Sequence, residues 1–185
     1  MTPELVRVVL VDDQELVRSG LRRILRRRDG FDVVAECADG SELPGALAQH
    51  EVDVVLMDLR MRDVDGITAT RRLADRVDAP PVLVLTTFDD DEMLSGALRA
   101  GAAGFLLKDS SAEDLIRAVR AVAAGDSWLD PAVTGRVLSS YRSATPAATP
   151  AGDPAHDTLT ARELEVLLAM PAGRTNAEIA AELFI

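Results

Sequence analysis

From Val6 to about Gly125, short apolar runs alternate with longer helical patterns. The runs are rich in Val and Leu on both faces, which is typical of strands that are covered on both sides of a sheet. Strict alternation favours a parallel sheet with right-handed helical crossovers, and functional groups then gather at the carboxyl ends of the strands. The predicted strands are 6–11, 31–35, 53–57, 82–86 and 104–107, and the predicted helices are 14–28, 41–49, 67–74, 91–100 and 111–124.

Composition and charge limit the possible functions. The net charge of -11 argues against broad electrostatic binding to nucleic acid or to an anionic membrane. The single cysteine, Cys37, excludes an internal disulfide framework and fits a reducing compartment. No apolar run approaches the ~20 residues that a membrane helix needs. We therefore expect a cytoplasmic protein without a membrane partner.

Acidic residues follow two of the predicted strands. Asp12 and Asp13 come directly after the first strand, and Asp58 follows the third. Carboxylates that meet at one sheet edge repel each other unless a cation lies between them. A cluster of hard oxygen ligands suits Mg²⁺, which also recruits phosphate oxygens as ligands. The spacing thus predicts a divalent-cation site.

Two further side chains belong to the same predicted edge. Lys108 follows the fifth strand and supplies a positive charge, while Thr86 ends the fourth strand with a hydroxyl donor. Taken singly, Asp12 and Asp13 are better explained as helix-capping acids, and Lys108 and Thr86 as solvated surface. Their conjunction at successive strand ends favours phosphoryl transfer onto Asp58 as the nucleophile.

Four stretches of the sequence, VVLVDD, VVLMDLRMRDVDG, VLVLTTF and GAAGFLLKD, resemble the bacterial response-regulator receiver family. The resemblance implies a flavodoxin-like (βα)5 fold with strand order 2-1-3-4-5 in residues 1–127. It also implies that a histidine kinase phosphorylates Asp58. The metal, Mg²⁺ or Mn²⁺, would be bound by Asp13, Asp58 and the backbone carbonyl of Arg60, with Asp12 assisting through water.

The same resemblance implies a switch. Thr86, with Thr87 beside it, would contact the phosphoryl group, and Phe105 would turn inward and change the surface formed by the fourth helix, fifth strand and fifth helix. The alternative for Phe105 is a plain core aromatic. One departure from the family is Arg62, which stands where Pro is common, so we expect a more flexible loop after Asp58.

The C-terminal part of the chain has a different character. Residues 128–158 are predicted to be a linker with one short helix at 131–141, because 142–157 are rich in Ala, Pro, Thr and Ser. Residues 159–185 resemble the start of the LuxR/NarL-type helix-turn-helix, and the chain as given stops before the recognition helix. We therefore expect promoter DNA binding from a longer parent and not from this polypeptide.

The function that these features predict is a two-component transcriptional regulator, not an enzyme, that forms a homodimer on phosphorylation. A receiver that acts by protein contact alone is the alternative if the truncation is natural. A haloacid-dehalogenase-like phosphatase needs a second Asp where Arg60 stands. A dinucleotide-binding domain needs a glycine-rich loop where the sequence reads DDQEL.

Overall fold

The structure of the protein, a computed structural model, describes residues 5–87 and 91–143. Six parallel strands form one sheet with the order β2-β1-β3-β4-β5-β6. The predicted flavodoxin-like order 2-1-3-4-5 is therefore confirmed, and a sixth strand extends it. The strands are β1 Val6–Val11, β2 Phe31–Cys37, β3 Val54–Asp58, β4 Val82–Thr86, β5 Gly104–Leu107 and β6 Trp128–Leu129.

Helices connect the strands and cover both faces of the sheet. Capping side chains set where two of them begin, because Asp65 accepts a hydrogen bond from the Thr68 N–H and Ser111 accepts one from the Asp114 N–H. Among the described residues, no helix has both the length and the apolar character that crossing a bilayer requires. The helices are α1 Glu15–Ile24, α2 Leu43–Gln49, α3 Gly66–Ala74, α4 Asp91–Arg99, α5 Ala112–Ala123 and α6 Pro131–Ser143.

The core lies in two layers, one on each face of the sheet. Successive strand residues point to opposite faces, so Val9 and Met57 enter one layer while Leu10 and Leu56 enter the other. Every residue of β3 is buried, as expected of a central strand with helices on both sides. This burial holds the carboxyl end of β3 in a fixed position at the edge of the sheet.

The short helix predicted at 131–141 is present as α6, but the residues before it and its packing differ from the predicted linker. Trp128–Leu129, expected to open a linker, pairs in parallel with β5, and the Val133 side chain of α6 is buried in the core. Asp130 caps α6 by accepting a hydrogen bond from the Ala132 N–H, and it also accepts one from the Ser110 hydroxyl. A two-residue strand carries too little periodicity to be recognised in a sequence. The compact unit consequently extends to Arg142.

Smaller differences concern the strand ends. β2 continues past the predicted end at residue 35 to Cys37, and β3 includes Asp58. The remaining part of the predicted linker and the predicted helix-turn-helix segment, residues 144–185, lie outside the described residues.

Candidate functional site

Three carboxylates meet at the carboxyl edge of the sheet. Asp12 and Asp13 follow β1 directly, and Asp58 is the last residue of β3, which pairs with β1. One oxygen from each of the three lies within 4.8 Å of the others. Asp12 and Asp58 are buried, and Asp13 is partly exposed. The convergence expected from the sequence is thus present in the structure.

Lys108 joins this cluster from the neighbouring part of the sheet. It follows β5, and its backbone N–H donates to the Thr86 carbonyl at 2.9 Å. Its ammonium nitrogen lies 2.8 Å from Asp12 Oδ2 and 3.1 Å from Asp58 Oδ2, and the side chain is only 14% exposed. One cation therefore bridges the carboxylates that follow two different strands.

The charges in the cluster do not balance. Burial raises the pKa of Asp58, the nearby Lys108 ammonium lowers it, and the Asp12 carboxylate raises it further. Burial lowers the pKa of Lys108, but its contacts with Asp12 and Asp58 outweigh burial and the net shift is upward. Lys108 is therefore a protonated ammonium, and it faces more negative charge than it neutralises.

Hydrogen bonds hold the turn that presents Asp12 and Asp13. Asp12 Oδ1 accepts from the Gln14 N–H at 2.9 Å, and the Asp12 carbonyl accepts from Arg18 Nη1 at 2.6 Å. Among the residues that the structure describes, Asp13 has one distant ion pair, with Arg62 Nε at 4.0 Å. Asp12 is consequently fixed in place, whereas the Asp13 carboxylate is the more available of the two.

The loop after Asp58 requires a glycine at its far end. The Gly66 N–H donates to the Leu59 carbonyl at 3.1 Å, and a Cβ atom at residue 66 would lie 2.1 Å from the Asp58 carbonyl oxygen. A backbone N–H of Arg60 also reaches Asp58 and lowers the pKa of its carboxyl, against the effect of burial. The backbone path around Asp58 is therefore sterically determined.

The residues predicted to form the switch differ in their exposure to solvent. Thr86 ends β4, and its hydroxyl donates to the Thr87 carbonyl at 2.8 Å, while Thr87 is exposed. Phe105 is fully buried in the core. Complete burial suits a ring without a polar atom, and the inward turn of Phe105 on phosphorylation stays a prediction.

Sequence reasoning missed Asp39 at this edge of the sheet. Asp39 is buried and accepts hydrogen bonds from the backbone of the loop that follows Asp58. The prediction ended β2 at residue 35, so Asp39 did not fall near a strand end. The only signal was an Asp-Gly pair ahead of a helix, which is also common in ordinary turns.

The cluster has the chemistry that a divalent cation requires. Carboxylate oxygens are hard ligands, and two of them, Asp12 Oδ2 and Asp58 Oδ2, are buried and share the single ammonium of Lys108. Burying more negative charge than the neighbouring positive charge neutralises is costly. The three carboxylates at this edge therefore fit a Mg²⁺-type ion.

Comparison with known proteins identifies the family of this chain. The response regulator receiver domain family matches residues 8–120, and the bacterial regulatory proteins of the luxR family match residues 157–185. The transcriptional regulatory protein LiaR of Bacillus subtilis (strain 168) is 41% identical over 181 residues, which is 98% of this chain and 83% of LiaR.

Solved structures agree with the sequence relatives. The response regulator ChrA of a heme-sensing two-component system has a TM-score of 0.62 at 40% identity, covering 98% of this chain and 82% of ChrA. The receiver domain of the putative response regulator NarL from Mycobacterium tuberculosis has a TM-score of 0.63 at 37% identity, covering 66% and 99%. The chain belongs to the response regulators that combine a receiver domain with a LuxR-type DNA-binding region.

Proposed function

We propose that Asp58 is the phosphoacceptor of this two-component regulator and that a sensor histidine kinase is its donor. The observation that carries the proposal is the position of the Lys108 ammonium, 2.8 Å from Asp12 and 3.1 Å from Asp58 in a cluster of three carboxylates. An Asp carboxylate is a competent nucleophile for phosphoryl groups once nearby positive charge offsets its repulsion of the incoming oxygens.

The transfer itself requires little from the protein beyond position and charge. An Asp58 carboxylate oxygen forms a bond to phosphorus while the P–N bond of a phosphohistidine breaks. The released imidazole nitrogen then takes a proton from water. Lys108 offsets the negative charge on the transferred group. The buried strand β3 fixes the position of the Asp58 carboxylate for the attack on phosphorus.

Asp13, Asp58 and the Arg60 carbonyl are the residues that would hold Mg²⁺ or Mn²⁺, with Asp12 contributing through its charge. The bound ion supplies neutralisation and orientation of the phosphoryl oxygens. Asp12 keeps its place through the Gln14 N–H, and Asp13 is the carboxylate with the fewest competing contacts.

Thr86 and Lys108 would register the arrival of the phosphoryl group. The Thr86 hydroxyl donates to the neighbouring Thr87 carbonyl, and a change of rotamer would let it donate to a phosphoryl oxygen instead. The Lys108 N–H bond to the Thr86 carbonyl connects the two residues through the backbone. Thr87 lies beside them at the exposed end of β4. Phe105 acts in this proposal as a buried core residue whose packing responds to Thr86.

Regulation of transcription would follow from dimerisation. We propose that residues up to about 142 act as the receiver, that the following segment to residue 158 is a linker, and that residues 159–185 belong to the DNA-binding region. The luxR-family match at 157–185 supports the last assignment. Phosphorylation would bring two receivers together and so place two DNA-binding regions on one promoter.

Labelling with a small phosphodonor tests the proposal. Acetyl phosphate with Mg²⁺ should label the protein once, and Asp58→Ala should abolish the label because it removes the nucleophile. Intact-protein mass spectrometry measures both. Label that persists in Asp58→Ala would reject Asp58 as the acceptor.

Sizing tests the dimerisation step separately. Beryllofluoride should move the protein to an earlier elution volume in size-exclusion chromatography, because it occupies the phosphoryl position on Asp58. Asp58→Ala serves as the control and should elute unchanged. An unchanged volume for the wild-type protein would rule out dimerisation as the output.

A further inference from the structure

Asp39 is a buried carboxylate outside the acidic cluster that the proposed chemistry does not use. It follows β2 at the carboxyl edge of the sheet and is 8% exposed. Its Oδ1 accepts a hydrogen bond from the Ser41 N–H at 2.8 Å, which caps the short 3-10 helix Gly40–Glu42. Hydrogen bonds from Ser41 and from the Val64 and Asp63 N–H groups hold the pKa of Asp39 at about 2, so it is charged at neutral pH.

The second half of the Asp39 carboxylate reaches the loop between Asp58 and α3. Asp39 Oδ2 accepts from the Asp63 N–H and the Val64 N–H, both at 3.1 Å. The next residue, Gly40, donates its N–H to the Val64 carbonyl at 3.2 Å. Both sides of Val64 are therefore tied to a segment that lies far from it in the sequence.

The hydrogen bonds from Asp39 restrain a loop whose own sequence restricts its backbone little. Arg62 stands in the loop where proline is common in the family, so the backbone there lacks the restriction of φ that proline imposes. Hydrogen bonds from backbone N–H groups to a charged carboxylate are about twice as strong as neutral ones. A buried charged clamp can thus fix a loop that its own sequence leaves free.

We propose that Asp39 is a positioning residue that clamps the loop after Asp58 and thereby sets the affinity of the acidic cluster for a divalent cation. The proposal rests on the proposed function of Asp58. The loop starts at the phosphoacceptor and includes Arg60, whose carbonyl is one of the proposed ligands. A clamp at Val64 fixes the far half of that loop, and Gly66 fixes its end against Asp58.

Asp39→Ser separates the two roles of the carboxylate, which are to cap the helix Gly40–Glu42 and to hold the loop at Asp63 and Val64. Serine caps a helical turn about as well as aspartate does, so the Ser41 bond is retained, but its shorter side chain does not reach the loop. Calorimetric titration with Mg²⁺ alone should show a dissociation constant about tenfold higher than that of the wild-type protein, as when a supporting residue behind metal ligands is lost. Asp39→Asn keeps the length and one oxygen and should give an intermediate value.

The matched control is Asp53→Ser, at the opposite edge of the sheet. Asp53 is also a carboxylate with both backbone and side-chain hydrogen bonds, in this case from Arg7. Its loss should leave the Mg²⁺ dissociation constant unchanged. Equal weakening in Asp53→Ser and Asp39→Ser would mean a general loss of stability and would overturn the proposal, as would wild-type affinity in Asp39→Ser.

Amide hydrogen exchange provides a readout that does not need metal or phosphodonor. In the wild-type protein the Asp63 and Val64 amides should exchange slowly, and in Asp39→Ser they should exchange faster while the Ser41 amide keeps its protection. Rapid exchange of Asp63 and Val64 in the wild-type protein would overturn the clamp even if no variant folds. If the wild-type protein does not bind Mg²⁺ while these amides are protected, the proposed function of the acidic cluster is wrong and the contact between Asp39 and the loop is still present.

Discussion

The two edges of the sheet carry buried or half-buried charges in opposite arrangements. At the amino edge, Arg7 Nη2 and Nε donate to the Asp53 carboxylate at 2.7 and 3.0 Å, and Arg7 also pairs with Glu51. At the carboxyl edge, three carboxylates lie together, and the two buried ones, Asp12 and Asp58, share the cation of Lys108. In the first arrangement each carboxylate oxygen of Asp53 accepts from Arg7, whereas in the second two buried carboxylates compete for one ammonium.

The pKa shifts of one Asp at each edge have opposite signs. Hydrogen bonds from Arg7 lower the pKa of Asp53, and burial raises the pKa of Asp58. A lowered carboxyl pKa means that ionisation stabilises the fold, and a raised one means that ionisation costs folding free energy. The opposite shifts show that ionisation of Asp53 stabilises the fold while ionisation of Asp58 opposes it, as is common for a carboxylate at a functional site.

Removal of the phosphoacceptor should have the largest effect on activity. Asp58→Asn is expected to abolish phosphodonor labelling while leaving the free energy of unfolding equal or higher, because it removes one of three repelling carboxylates. Asp53→Asn is the control at the other edge and should be labelled like the wild-type protein. Mass spectrometry and urea unfolding measure the two quantities. A clear loss of stability in Asp58→Asn would contradict the contrast between the edges.

Removal of the shared cation should have the largest effect on stability. Lys108→Met leaves Asp12 and Asp58 buried without their ion-pair partner, which should cost about 3 kcal/mol of unfolding free energy. Added Mg²⁺ should restore part of the loss. Arg22→Met, which removes an exposed cation paired with Glu36 at 3.0 Å, should change stability by less than about 1 kcal/mol. An unchanged urea midpoint in Lys108→Met would show that the bridge is not formed.

A methyl group at residue 66 tests the steric fit of the carboxyl edge. Gly66→Ala is expected to cost about 2 kcal/mol or more and to slow phosphodonor labelling, since the new Cβ would meet the Asp58 carbonyl oxygen at 2.1 Å. Gly45→Ala in α2 has open space around its Cβ and should be neutral or slightly stabilising. Chemical denaturation of both variants distinguishes these outcomes, and equal stability would refute the close approach.

The smallest expected effect is at the amino edge and depends on pH. Asp53 has a lowered folded pKa, so its stabilisation is complete above the unfolded pKa of ~3.9 and is lost as pH falls through the folded value. At pH 7, Asp53→Asn should cost about 1 kcal/mol, the upper range for a partly exposed pair with good geometry. The difference from the wild-type protein should shrink below pH 4 in urea unfolding. A constant difference would argue against the ion pair.

Much of the fold could be predicted from the sequence because its signals are local. The predicted limits of β1, β4 and β5 match the structure, since each is a short, mostly apolar run, interrupted in β1 by Arg7 alone. The extension of β2 to Cys37 was missed because Glu36 interrupts the apolar run. β6 was missed because its pairing with β5 depends on a partner elsewhere in the chain.

The candidate site could be predicted in part from the predicted sheet. The parallel order places strand ends together, so Asp12, Asp13, Asp58 and Lys108 could be expected to meet. The buried position of Phe105 and the contact between the Thr86 and Thr87 groups depend on packing and rotamers, which the linear pattern does not encode.

By itself, the sequence determined the kind of sheet and the edge at which its acidic residues gather. Periodicity is a local property, and general topology rules convert an alternation of strands and helices into a parallel sheet. Only the tertiary structure decided how charge is balanced at each edge and which distant backbone groups Asp39 holds. Burial and hydrogen-bond geometry depend on residues separated by many positions in the chain, and no local pattern specifies them.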